Sequence, residues 1–534
     1  MKRILYFCII WGIGIISAYG QPFPNPAIDV QQYTFALEIN DQNAEIKGEA
    51  TVSVRFAKDG VKTFLLDLVN QSSATVKKGM KVTAITLDST ALTFTHRMNQ
   101  LEIQLPEAPA AESVKSFVIR YGGIPADGLI ISENLYGNKT FFGDNWPNRA
   151  HHWLPVVDHP LDKAKVSFAI TAPQKYQVIA NGALVEETDL SNGKRLTRWE
   201  NKVPLPTKVM VFGAAEFAVE YVGDLHNIPV STWVYPQNRE AGFYDFALAL
   251  QVFTFMEKYV GPYPFEKLAN VQSTTRYGGM ENASNIFYAE TAITGERSSE
   301  ELIAHEIAHQ WFGNSASEAS WYHIWLSEGF ATYLKHLYME AIYGEKRLAE
   351  GMAVDRESIF QTGPDLPVVN ENITNLNQLL NTNSYEKGGW ILHMLRKEVG
   401  DEMFHKGIRT YYEKYKLSNA LTDDFRKVME EVSGKDLKLF FDQWLFRAGH
   451  PRLKMEWKYD GKKKKLRVTV SQTQEGESFV FPLELEIRSK NTTESEIIEM
   501  PISQKEETFE IGIKTEPAEV IMDPGVRLLF KETK

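Results

Sequence analysis

Two histidines four residues apart, with a glutamate beside the first, stand in the stretch ELIAHEIAHQWFGN, Glu301 to Asn314. On a helix, positions i and i+4 share a face. His305 and His309 then point the same way, about one turn apart, and Glu306 projects along the edge of that face. Two imidazoles at that separation suit one zinc ion, and Glu306 can reach a water there without ligating the metal itself. A catalytic zinc takes three protein ligands and keeps one position open. Glu328, in WYHIWLSEGFATYLKHLYMEA, supplies a carboxylate after eighteen intervening residues. That interval allows a turn, a short connection and a return on an antiparallel helix. The same residues also fit a plain amphipathic helix, with satisfied core histidines and a solvated glutamate. Three features favour the metal. Ser298 and Glu301 form an S-x-x-E pattern that predicts a capping box at the helix start. The segment is too apolar for three polar groups to face without a purpose. A second helix brings a third ligand.

These residues need a scaffold, and the pattern of the chain divides it in three. From Ile28 to about Glu220, segments such as YTFALEIN, AEIKGEATVSVRF and VSFAITAP alternate apolar and polar residues and are rich in β-branched types, which predicts strands. A β-sandwich or saddle over 21–220 is the expected result. From 221 to 448 the periodicity is helical, with patterns at Ser298–Phe312, Ser327–Tyr343, Tyr385–Val399 and Thr422–Val432. From 449 to 534, KLRVTVSQ, FPLELEIRS and TFEIGIK alternate again and predict a small all-β domain. The Lys462–Lys465 run reads as one solvated flank of a hairpin there.

The 534 residues carry a net charge of −11, which excludes nucleic acid as a natural partner. Lys2 and Arg3 precede the apolar run Ile4 to Ile16, then small residues at Ala18 and Gly20. Residues 1–20 therefore read as a signal peptide, with no stable membrane span once it is removed. An uncleaved N-terminal anchor is the alternative. Cys8 is the only cysteine, so no disulfide holds the mature chain. Export to a periplasm or to the exterior is the expectation.

Further motifs carry a family resemblance. HEIAHQWFGN followed by WLSEGFATY resembles the alanyl aminopeptidase (aminopeptidase N) family of gluzincin zinc peptidases, which includes the leukotriene-A hydrolases. YGGMENAS, with Gly278, Gly279, Met280, Glu281 and Asn282, resembles that family's G-x-M-E-N loop. SYEKGGWILHMLR resembles the segment holding its catalytic tyrosine, here Tyr385, and WLFRAGHPRL its junction into a small β domain. The resemblance implies a β domain, a thermolysin-like catalytic domain and a small β-sandwich, in that order. It implies one Zn2+ ion on His305, His309 and Glu328, with Glu306 as general base toward a zinc-bound water and Tyr385 donating to the oxyanion. Glu281 would bind the α-ammonium of a peptide with a free N-terminus, beside the glycines that admit an extended backbone.

Two departures stand out. The family's glutamine on the N-terminal domain is absent, and Asp144 and Asn145 occupy roughly its place, which makes Asp144 a candidate second amine anchor. His151, His152 and His159 cluster nearby, where polar packing is the expectation over a second metal. The sequence also stops at Lys534, where many relatives continue into a large helical domain. A more open site, or cover from a partner subunit, would follow. A zinc aminopeptidase is the leading reading. A zinc endopeptidase and an epoxide hydrolase on the same scaffold are the alternatives.

Overall fold

The computed structural model describes residues 24–71, 78–490 and 495–533. The signal-peptide reading and Cys8 fall outside these residues. No helix among the described residues is long and apolar enough to cross a membrane.

The N-terminal part is built on an eight-stranded sheet. Strands β1 (Ile28–Glu38) and β2 (Ile46–Phe56) pair antiparallel, and β3 (Val114–Ile124) extends them on one side. On the other side β4 (Lys163–Pro173) pairs parallel to β1 and antiparallel to β5 (Lys194–Pro206). Buried and partly exposed residues alternate along β4, because successive side chains point to opposite faces and only one face meets the core. A separate four-stranded sheet, which includes Lys139–Gly143 and Phe212–Ala215, lies toward the central region. Phe142 packs edge-on to Phe287 of that region, 5.3 Å between ring centroids.

The central region begins with strands rather than helices. Strands β6 (Ala218–Leu225) and β7 (Ile228–Val234) form one edge of a five-stranded sheet. The sheet continues through β8 (Leu268–Ser273) and β10 (Asn285–Ala289) to the two-residue edge strand β9 (Gly279–Met280). β8 is buried at every position, as a strand covered on both faces must be. The segment before Gly261 forms two helices, Arg239–Phe246 and Leu248–Val260, which meet at Ala247. Four further elements position the site. They are α1 (Glu300–Ala308), α2 (Trp325–Tyr343), the π-turn Asn383–Lys387 and α3 (Gly388–Val399) that follows it.

The C-terminal part has a four-stranded and a three-stranded sheet. Its first strand, β11 (Arg452–Asp460), pairs parallel with the last, β12 (Lys531–Glu532).

Two lysines, Lys208 fully buried and Lys163 partly buried, tie the N-terminal part to the central one. Lys208 Nζ lies 2.7 Å from Glu318 Oε1, with side chains 1% and 0% exposed. Lys163 Nζ donates to the carbonyls of Ser315 (2.6 Å) and Ser418 (2.8 Å). Glu318 and Ser315 both lie within ten residues of His309, so these contacts join the N-terminal part to the segment that follows the histidine helix.

Candidate metal centre and cleft

Helix α1 starts without its expected capping box. Neither Ser298 nor Ser299 caps it by a side chain. Ser298 Oγ donates to Thr294 Oγ1 (3.1 Å) and Ser299 Oγ to the Ala292 carbonyl (2.6 Å). The Glu301 carboxylate turns outward to Arg347 and to Lys335 Nζ at 3.4 Å. The hydroxyls serve the preceding turn, and a cation outcompetes a single amide for the carboxylate.

The helix nonetheless delivers both imidazoles to one point. His305 Nε2 and His309 Nε2 are 3.0 Å apart, and Glu328 Oε2, from the first turn of α2, lies 3.5 and 3.1 Å from them. A tetrahedral zinc with bonds of about 2.0–2.1 Å needs ligand atoms about 3.3 Å apart. The three edges bracket that value, so the donor set fits one zinc ion with a fourth face toward the cleft. His309 Nδ1 is held from behind by Ser327 Oγ at 3.1 Å, which aims the ring as metal-bound imidazoles require.

Charge points the same way. Burial alone would lower the His309 pKa, but Glu328, Glu281 and Glu306 around it lift it to about 9. Burial takes His305 down to about 4, against the opposing pull of Glu328. Glu306 is pushed well above the ordinary carboxylate range, first by burial and then by Glu281 and Glu328, with His309 opposing. Three buried carboxylates around two imidazoles form a nest for positive charge, and a divalent cation satisfies it more fully than one proton.

The cleft of about 410 Å³ is lined by all three of these ligands and by Gly278, Gly279, Met280, Glu281, Glu306 and Tyr385. Gly279 stands so close to Glu306 that a Cβ there would meet its Oε1 at 2.3 Å. Glycine is the residue that lets the edge strand β9 pass over Glu306. Glu281 is buried, with one carboxylate oxygen unpartnered. Burial raises its pKa, Glu328 adds to this, and His309 and Lys208 oppose. Tyr385 stacks over His305, 6.0 Å between centroids. Burial, and then Glu328, Glu281 and Glu306, hold its phenol pKa far above the usual range, so the phenol is a proton donor. The π-turn that carries Tyr385 runs into α3 at Gly388, where a Cβ would lie 2.9 Å from the Gly329 Cα of α2. Helix contact that close is open only to glycine.

Asn282 does not reach the cleft; it lies buried beside it. Asp144 corrects the expectation of a second amine anchor. It is 1% exposed and absent from the cleft wall. One oxygen pairs with Arg149, and the other accepts from Thr275 Oγ1 (3.1 Å) and the Arg276 amide (3.2 Å). A carboxylate with both oxygens engaged is not free for an ammonium. Its neighbour Trp146 lines the cleft instead. His151 pairs with Asp158 at 2.7 Å. Among the described residues, no metal-binding cluster includes His151, His152 or His159.

Two functional positions escaped the sequence reading. Gln310 Nε2 and Asn314 Nδ2 both donate to the Glu281 carbonyl, at 2.9 and 2.6 Å. Gln310 Oε1 accepts from the Ser284 amide at 2.9 Å. The residues just past the second histidine therefore clamp the Glu281 loop onto the histidine helix. Their signal was the polar pair within HQWFGN, in an otherwise apolar run.

Comparison with known proteins identifies the family. Residues 30–209 match the Peptidase M1 N-terminal domain, and residues 244–444 match the Peptidase family M1 domain. The chain is 26% identical over 498 residues to a leucyl aminopeptidase of Saccharolobus solfataricus, covering 87% of this chain and 60% of that protein. It is 28% identical to human glutamyl aminopeptidase over 60% of this chain and 35% of that one. The chain thus spans between about a third and three-fifths of these relatives. In fold it is similar to an M1 zinc metallopeptidase from Deinococcus radiodurans, with a TM-score of 0.69 at 21% identity, over 81% of this chain and 98% of that one.

Proposed function

The chain belongs to peptidase family M1, and from that premise we propose that it is an exported zinc aminopeptidase that removes residues from the free N-terminus of peptides. The observation that carries this reading is Glu281, a buried carboxylate with an unpartnered oxygen at one end of the cleft. A free α-ammonium matches it, and an internal peptide bond offers no charge to match.

His305, His309 and Glu328 would hold the zinc. Zinc in that place supplies Lewis-acid polarisation of the scissile carbonyl and acidifies the attacking water. Every other part belongs to the chain. Glu281, assisted by Glu328, would hold the ammonium and so set which peptide bond is cleaved. The β9 edge, open at Gly278 and Gly279, receives the extended peptide backbone. Glu306 takes a proton from the attacking water and returns it to the leaving nitrogen. The Tyr385 phenol donates a hydrogen bond to the oxygen on which negative charge develops, a contact worth more there than in the ground state. Peptide substrates with a free N-terminus, one zinc ion and export by residues 1–20 complete the proposal.

The test is a panel of aminoacyl-arylamides with the purified protein, with and without a chelator, beside Glu306→Gln. Chelator-sensitive release by the wild type, abolished in Glu306→Gln, is the expected outcome. An N-acetylated peptide is spared by an aminopeptidase and cut by an endopeptidase. Absence of chelator-sensitive release across the panel would overturn the proposal. N-terminal sequencing of the exported protein tests cleavage near Gly20.

A further inference from the structure

A second cleft, of about 740 Å³, opens behind the π-turn that carries Tyr385. Lys387 and Asn383 of that turn line it, facing Arg447, His450 and Arg452 from the junction into the C-terminal sheets. Its cations are arranged in a way that the protein itself does not balance. Arg452 on β11 stands directly opposite Lys531 on β12 in a parallel register. Like charges placed opposite one another on neighbouring strands repel. Among the described residues, neither is joined to a carboxylate by an ion pair. Lys531 Nζ sits 5.7 Å over the ring of Phe360, and that ring packs 4.7 Å from the ring of His450. Phe360 and His450 line the cleft; Lys531 lies next to it rather than in its wall, close enough for its charge to act on His450.

His450 adds an independent sign. Its Nε2 is buried and has no hydrogen-bond partner, a state that polar atoms avoid unless something else meets them. Lys387, buried in the same wall, donates to the Gly449 carbonyl at 2.8 Å. Arg447 is already committed: it donates to the Ser478 carbonyl at 3.0 Å and lies 3.8 Å over Phe479. Two carboxylates, Asp365 and Glu475, also border the cleft, and both are exposed. They set a limit on how much negative charge the site takes and favour a small ligand over a polyanion.

We propose that this cleft is a binding site for a small oxyanion, phosphate or carboxylate, held by Arg452, Lys531 and the Nε2–H of His450. An arginine fork beside an ammonium and an imidazole N–H is the donor set that planar or tetrahedral oxygens call for. The occupant would sit against the turn whose other face presents Tyr385 to the first cleft.

The test is isothermal titration calorimetry of the full chain with inorganic phosphate, and in a separate arm with acetate, at ionic strength matched by sodium chloride. Wild type is compared with Arg452→Ala and Lys531→Ala, two exposed positions whose loss the fold tolerates; circular dichroism checks this. Saturable binding, weakened at least tenfold in both variants, is expected. The tighter of the two arms identifies whether the ligand is a phosphate or a carboxylate. Absence of saturable heat in both arms, or equal affinity in wild type and variants, would overturn the proposal. Binding is read without peptidase activity, so its failure and that of the aminopeptidase reading are separate results.

Discussion

Glu281→Gln isolates the charge on which the proposed N-terminal selectivity rests. The substitution keeps the volume and the backbone carbonyl that Gln310 and Asn314 hold, and removes only the negative charge. Two unit charges about 4 Å apart at an effective dielectric of 20 attract by about 4 kcal/mol. Glu328 stays in place as a partial substitute, and the ammonium loses hydration on entering, so a net loss of about 2–3 kcal/mol follows. That is roughly a 30- to 150-fold fall in kcat/KM for a substrate with a free amine. An N-acetylated peptide has no ammonium and is turned over no worse than before. The assay is kcat/KM for a free and an acetylated version of one peptide, in both proteins. The ratio between them collapses if Glu281 reads the amine. An equal fall for both peptides, or a fall below about fivefold for the free one, would show that Glu281 shapes the loop and does not read charge.

Three further outcomes follow from the geometry. Gly279→Ala puts a methyl 2.3 Å from Glu306 Oε1, so kcat falls at least tenfold while the melting temperature moves little, as steady-state kinetics and calorimetry will report. Lys208→Met leaves Glu318 as an unpaired buried charge and costs about 3–5 kcal/mol in denaturant unfolding, whereas adding Glu318→Leu recovers most of that loss. Asp162, driven up to about 8 chiefly by burial and then by Asp29, holds its proton in the folded protein at pH values where the unfolded chain has released it. Its contribution to stability is therefore complete below about pH 4 and lost as pH rises to about 8. Asp162→Asn flattens that slope in urea midpoints measured from pH 5 to 8.

The grouping of His305, His309 and Glu328 was legible in the sequence because it is local. His305 and His309 share a face by helical period alone, and Glu328 needs only one helical return to join them. The β, then helical, then β order of the chain was equally readable from alternation against 3.6-residue periodicity. Other features turned on partners distant in sequence. Asp144 looked like an amine anchor until Arg149, Thr275 and Arg276 occupied its oxygens. The S-x-x-E cap looked complete until Arg347, forty-six residues away, drew Glu301 off the helix. The role of Gln310 and Asn314 appears only when strand pairing brings Glu281 against α1. The pairing of Arg452 with Lys531 depends on two strands nearly eighty residues apart. Periodicity along a chain determines which face a side chain takes, and the residue types on that face determine which metal they suit. Whether that side chain is free to act depends on what the fold packs against it, and long-range register decides that.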